Sequence, residues 1–206
     1  MKPEYAKRTL YAATIVCIIF SAVLLFGTCQ NNTFTSRNTI RNLQAEQSSG
    51  RKWAEPITLA GLPNLHKVSE NLYRGAQPTE EGFENLKKLG IKTIVNLRDL
   101  HSDKSKIADS NFVYEQIDTK AWHPENEDVS RFLKIVSDES KQPVFVHCQY
   151  GSDRTGAMCA IYRIVIEGWS KQQAIDEMTN GGFGFHKAWK NLITYIEKLD
   201  TEKISH

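Results

Sequence analysis

At 206 residues, 40% of them apolar, the chain has material for one packed domain and an appendage but not for two full domains. Its formal charge of +2 is local, because Lys2, Lys7 and Arg8 against Glu4 near the N-terminus account for the whole excess. The neutral remainder offers no basic stripe to follow a phosphate backbone, which argues against nucleic acid as a partner.

Behind Lys7 and Arg8 an almost unbroken apolar run extends from Leu10 to Gly27, long enough to cross a bilayer and longer than the usual signal-peptide core. Residues 1–29 are therefore expected to be a signal anchor, with a cleaved signal sequence as the alternative. Phe26-Gly27-Thr28-Cys29 is a poor lipoprotein box, so Cys29 reads as an interfacial thiol. Lys2, Lys7 and Arg8 precede the span, and the first basic residues after it are Arg37 and Arg41. The positive-inside bias then leaves the N-terminus in the cytoplasm and the following domain membrane-anchored on the periplasmic or extracellular side. Residues 30–55 are polar and aperiodic, a tether ahead of a domain over 56–202.

Within that domain Asn71-Leu72-Tyr73-Arg74 reads as a short strand, and Pro78-Thr79-Glu80-Glu81 opens a helix that buries Phe83, Leu86 and Leu89 and stops at Gly90. Ile91 to Leu97 and Phe112 to Ile117 are β-rich, while Val129, Phe132, Leu133 and Val136 recur at helical spacing. Pro143 to His147 is a short, doubly buried strand. An apolar helix over 155–167 follows, then a capping box at Ser170 and Gln173, then a helix carrying Trp189, Leu192, Ile193 and Ile196. Strands alternating with helices predict an α/β fold whose central, mostly parallel sheet is flanked by helices, with an N-terminal transmembrane helix in addition.

The chemistry concentrates in Val144-Phe145-Val146-His147-Cys148-Gln149-Tyr150-Gly151-Ser152-Asp153-Arg154-Thr155-Gly156, a strand, a loop and a helix start. A loop at a helix N-terminus turns N–H groups inward and adds the positive end of the dipole, so Gln149, Tyr150, Gly151, Ser152, Asp153 and Arg154 are expected to cradle a phosphate dianion. The same field stabilises a thiolate at Cys148, a nucleophile. Five residues between Cys148 and Arg154 let sulfur and guanidinium face one phosphorus, with Arg154 gripping two oxygens as a planar fork that Lys cannot copy. Thr155 can donate its hydroxyl to the sulfur as the thiolate departs, as two-step covalent catalysis requires. His147 is expected to hold the loop geometry rather than act as a base. Of the four cysteines, Cys17 lies in the apolar run and Cys29 at its edge, and Cys159 falls more than a helical turn beyond the loop, so Cys148 should be a free thiol.

From Leu72 to Tyr195 the chain resembles the tyrosine and dual-specificity phosphatases. Leu72-Tyr73-Arg74-Gly75-Ala76-Gln77-Pro78, Leu89 through Arg98 and the Cys148 loop are similar to bacterial atypical dual-specificity enzymes. Plant and fungal relatives acting on inositol pyrophosphates have basic loops, whereas this one carries Gln149, Tyr150, Ser152 and Asp153. The resemblance implies the Cys-based phosphatase fold and a general acid about thirty residues before the nucleophile, where Asp118 stands. It equally admits Asp153, since some related enzymes take the proton from an Asp directly before the Arg.

The expected activity is hydrolysis of a phosphomonoester through a phosphocysteine, on phosphoprotein substrates first, with a phospholipid or small phosphomonoester as the alternative. A phosphate-binding pseudophosphatase is the remote alternative. Trp122, His123, His186 and Trp189 are candidates for the pocket rim or the core, and Arg74 and Arg98 for substrate contact or buried ion pairs. No cofactor is implied, and no Cys/His set has metal-ligand spacing. The partners expected are the phosphorylated substrate and, through the N-terminal helix, a membrane.

Overall fold

The computed structural model describes residues 51–108, 110–120 and 124–204. The expected span, Cys17, Cys29, most of the tether, Trp122 and His123 lie outside the described residues. Among the described residues no helix is long and apolar enough to cross a membrane. A compact unit begins at Trp53. Ala54 is buried, and its amide donates to Glu177 Oε1 at 2.7 Å.

Six strands form one sheet: β1 (Glu55–Pro56), β2 (His66–Lys67), β3 (Leu72–Gly75), β4 (Thr93–Asn96), β5 (Val113–Gln116) and β6 (Val144–His147). Their order is β1-β2-β3-β6-β4-β5. The four strands β3, β6, β4 and β5 run parallel, whereas β1 and β2 add an antiparallel edge, so the sheet is mixed. That edge carries no alternating apolar pattern and was absent from the expected elements. β6, at the centre, is buried over its whole length, as a parallel strand covered on both faces must be.

Alternation along the strands sorts the core into two layers. Phe145 and Ile94 point to one face, under α1 (Glu80–Lys88) with Phe83 and Leu86. Burying each of those two side chains contributes roughly 1.5–3 kcal/mol. Thr79 caps α1 by accepting from Gly82 N at 3.2 Å, and Gly90, at φ 78°, stops the chain from continuing as helix. Val144, Val146 and Val95 point to the other face, which is covered by α2 (Asn126–Ser137), α3 (Asp153–Val165), α4 (Lys171–Asn180) and α5 (Lys190–Lys198). A short α6 (Thr201–Ile204) ends the domain. The expected capping box of α4 forms in full between Ser170 and Gln173.

α3 is the structural pivot. Ten of its residues, from Thr155 to Ile164, are buried, and it starts at Asp153, two residues before the expected boundary. Arg163 locks it to α4 through two contacts to Glu177, at 2.7 and 2.8 Å, while its guanidinium lies 4.3 Å from the centre of the Trp169 ring. This clamp fixes α3 against α4.

Candidate active site

Cys148 directly follows β6 at the middle of the sheet, 3% exposed, and the chain turns through Ser152 into α3. Three carbonyls of the turn are tied outward: Gln149 O accepts from Gln77 N at 3.2 Å, Tyr150 O from Asn64 Nδ2 at 2.9 Å and Gly151 O from Arg74 Nη2 at 2.7 Å. In a trans peptide the following N–H points the opposite way, so the amides of Tyr150, Gly151 and Ser152 turn inward. Together with the first turn of α3 they form a ring of N–H donors suited to an anion. Gly151 has φ 71°, and a Cβ there would lie 2.5 Å from the backbone of Gly75, so no side chain fits.

A second set of contacts holds the turn from below. Asn64 Nδ2 also donates to Phe183 O at 2.9 Å, and Ser152 Oγ donates to the same carbonyl at 2.8 Å. Arg74, 1% exposed, stacks its guanidinium 3.8 Å from the centre of the Phe183 ring. It neither reaches the cavity nor forms the ion pair considered from sequence; burial pushes its guanidinium below the ordinary arginine value. Arg98 also stays out of the cavity and donates to Gln77 Oε1 at 2.7 Å.

Arg154 is aimed by carbonyls. Its Nη1 donates to Leu97 O at 3.1 Å and Thr119 O at 3.3 Å, and lies 3.6 Å from Asp99 Oδ1. Thr155 Oγ1 is buried and has no hydrogen-bond partner among the described residues, so its hydroxyl proton is not committed to another group of the protein. Behind Cys148, His147 is fully buried, with Nδ1 3.3 Å from Cys148 O and Nε2 3.0 Å from Asp103 Oδ2. Neither Asp99 nor Asp103 was anticipated, since both sit in an irregular stretch after β4. The charged pair Arg98-Asp99 directly after a buried strand was the available signal. Cys148 and Cys159 are not bonded to each other, and burial pushes the Cys159 thiol up to about 11. Among the described residues no group of three His, Cys, Asp or Glu could hold a metal ion.

The cavity over Cys148 has a volume of about 360 Å³ and is lined by Cys148, Gln149, Tyr150, Asp153, Arg154, His186, Ala188 and Trp189. A larger, more open hollow of about 740 Å³ shares Gln149 and Tyr150 but reaches neither Cys148 nor Arg154, so the smaller one is the candidate site. His186 and Trp189 thus take the rim position considered for them.

The two acid candidates differ in how they are held. Both carboxylate oxygens of Asp153 are engaged by His186, Oδ1 accepting its backbone N–H at 2.9 Å and Oδ2 lying 2.8 Å from Nδ1. Asp153 therefore ties the rim segment to the first turn of α3. Asp118 is exposed after β5, with Oδ1 accepting from Gln116 Nε2 at 2.8 Å. It lies outside the cavity lining, but the next residue, Thr119, supplies a carbonyl to Arg154.

A family model described as "DSP-PTPase phosphatase fused to NAD+ Kinase" matches residues 58–191. The dual specificity protein phosphatase TpbA of Pseudomonas aeruginosa is 33% identical over 152 residues, covering 73% of this chain and 68% of that protein. Its crystal structure superposes with a TM-score of 0.67 at 30% identity, covering 76% of this chain and 96% of that one. A cysteine-to-serine variant of TpbA in complex with pTyr also gives 0.67, at 29% identity over 75% and 94% of the two chains. The catalytic domain of the PP-IP phosphatase SIW14 from S. cerevisiae shares the fold with a TM-score of 0.63 at 24% identity, over 71% and 91% of the two chains. With an anion cradle, a cysteine at its base and an arginine at its lip, the chain belongs to the dual-specificity phosphatase family of Cys-dependent phosphatases.

Proposed function

We propose that this phosphatase acts on phosphotyrosine-bearing proteins, with Cys148 as nucleophile, Arg154 as phosphate clamp and Asp118 as general acid. The observation that carries the substrate reading is the cavity wall: Tyr150, His186 and Trp189 surround Cys148 with aromatic surface, which suits a phenyl ring standing over the phosphate. The pTyr complex of TpbA supports the same class of substrate. A loop without lysine, leading into Asp153 at the start of α3, suits a single phosphate better than a polyphosphate.

In the first step Cys148 Sγ⁻ attacks phosphorus, the bond from phosphorus to the ester oxygen breaks, and that oxygen takes a proton from Asp118. The inward amides of the turn and Arg154 take up the charge on the three equatorial oxygens. In the second step Asp118, now a carboxylate, removes a proton from water as its oxygen attacks phosphorus. The S–P bond breaks, and Thr155 donates a hydrogen bond to the departing thiolate. The sum is ester plus water to alcohol plus phosphate.

Asp118 is preferred because Asp153 has both oxygens occupied. The test compares Asp118→Asn and Asp153→Asn on an aryl phosphate with a good leaving group and an alkyl phosphate with a poor one. For the true acid, kcat falls by about 10²–10⁴-fold on the alkyl substrate, much less on the aryl one, and the basic limb of the pH profile disappears. Leaving-group dependence confined to Asp153→Asn would transfer the role to the loop.

For placement, we infer that residues 1–29 anchor the enzyme in a membrane with 56–202 on its outer side, on the apolar run from Leu10 to Gly27 and the basic residues before it.

A further inference from the structure

Asp118 stands at the exposed end of a chain of hydrogen bonds whose donors and acceptors can all be assigned, because the chain starts from backbone N–H groups. β4 and β5 pair in parallel with Asn96 opposite Gln116 and Ile94 opposite Tyr114, so Asn96, Tyr114 and Gln116 share one face near the ends of the two strands. The Arg98 amide donates to Asn96 Oδ1 at 2.9 Å, which leaves the Asn96 nitrogen to donate to His101 O at 2.9 Å and Tyr114 Oη at 3.1 Å. The Asp103 amide donates to the same tyrosine oxygen at 3.0 Å. With both lone pairs taken, the Tyr114 hydroxyl must give its own proton away, and the acceptor beside it is Gln116 Oε1.

That settles which way the Gln116 amide faces. Its nitrogen meets two oxygens, the Arg98 carbonyl and Asp118 Oδ1, and has one proton for each. Gln116 thereby joins the two segments that aim the phosphate clamp, because Leu97 O, one residue before Arg98, and Thr119 O, one residue after Asp118, both accept from Arg154 Nη1. Asp118 Oδ2 has no hydrogen-bond partner among the described residues. An oxygen that receives an N–H presents a lone pair, and a protonated oxygen accepts poorly, so the proton of the acid form belongs on Oδ2.

We propose that Gln116 is a positioning residue for proton transfer: it holds Asp118 by Oδ1 so that the transferable proton sits on Oδ2, with the carboxyl fixed relative to Arg154. The proposal rests on the reading of Asp118 as general acid. The O–H bond at Oδ2 breaks as the leaving ester oxygen takes the proton, and in the second step the same oxygen removes a proton from water. A lysine or arginine in this place would orient the carboxyl too, but its charge would oppose protonation of the acid. A neutral amide orients without adding charge.

The test uses the purified full chain and measures kcat, KM and the thermal midpoint for Gln116→Met, Tyr114→Phe, Asp118→Asn and the double variant Gln116→Met with Asp118→Asn. Each is assayed on an aryl phosphate with a good leaving group and an alkyl phosphate with a poor one. Gln116→Met keeps the length and removes the amide; kcat is expected to fall about tenfold on the alkyl substrate and to stay within about twofold on the aryl one, with KM little changed. Tyr114→Phe keeps the amide but frees it to turn over, so the alkyl rate should fall by about threefold. Once Asp118 is asparagine there is no acid left to position, and adding Gln116→Met should lower the alkyl rate no further. A merely structural role would lower both rates alike together with the thermal midpoint, and that outcome overturns the proposal. So does an alkyl rate at the wild-type level in Gln116→Met, or a further tenfold loss in the double variant. Should Gln116→Met not fold, Tyr114→Phe decides by the same comparison, and no selective alkyl loss there overturns the proposal. Failure of the underlying reading looks different, because Asp118→Asn would then leave the alkyl rate at the wild-type level.

Discussion

Glu177→Gln separates what holds α3 against α4 from what performs the chemistry. The carboxylate is buried between α3 and α4, where it receives two bonds from the Arg163 guanidinium and a third from the Ala54 amide. The side chains are 3% and 5% exposed for Arg163 and Glu177, so solvent cannot take over when the charge is removed. Burial by itself would lower the Arg163 guanidinium, but Glu177 and Glu167 outweigh it and hold the group above its ordinary value. Glutamine keeps an oxygen to accept from Ala54 or Arg163 but leaves the guanidinium with Glu167 as its remaining carboxylate. Breaking a buried pair costs about 3–5 kcal/mol, and the surviving contacts place this variant near the lower end, about 3 kcal/mol. For a domain of this size each kcal/mol lowers the thermal midpoint by roughly 2–4 °C, so a drop of about 6–12 °C is expected. The assay is thermal and urea unfolding followed by circular dichroism, paired with kcat well below the transition. Arg163 lies nine positions after Arg154, roughly 13 Å along the helix, so kcat there should stay within about twofold of wild type. The double variant Arg163→Met with Glu177→Leu should recover much of the loss, because an apolar pair carries no desolvation cost. A single variant within 1 kcal/mol of wild type in the urea measurement, or a double variant less stable than the single, would refute the reasoning.

Cys148→Ser should abolish turnover of an aryl phosphate yet still bind vanadate, since the inward amides and Arg154 remain; measurable turnover would remove Cys148 from its role. Arg154→Lys should lose about 10²-fold or more in kcat/KM, because a point charge cannot span two oxygens, and near-normal activity would contradict the clamp. A reporter fused after His206 should be active outside the cytoplasmic membrane, and cytoplasmic activity would overturn the proposed orientation.

Much of the scaffold was legible from local signals. Thr79 before Glu80 and Glu81, the Ser170 and Gln173 box, and the apolar spacing of α2 each act within a few residues, and each formed where expected. The Cys148 loop was legible for the same reason: a cysteine, a glycine that admits positive φ and an arginine at fixed spacing are all local requirements. The antiparallel edge was not, because two-residue strands such as Glu55–Pro56 and His66–Lys67 carry no period and exist only by pairing with β3. Nor was the start of α3 at Asp153, which depends on how the turn is held by Arg74 and Asn64 from other segments.

By itself the sequence determined the α/β order of elements and the pairing of Cys148 with Arg154, since both follow from residue types at short separation. Only the tertiary structure decided that Arg74 braces the turn instead of touching substrate, that Asp153 is spent on His186, and that Asp103 stands behind His147. These contacts join residues 33 to 77 positions apart, and a buried polar group takes whichever partner the packed backbone brings within reach. Side-chain identity limits what such a partner can be, and chain topology selects which one arrives.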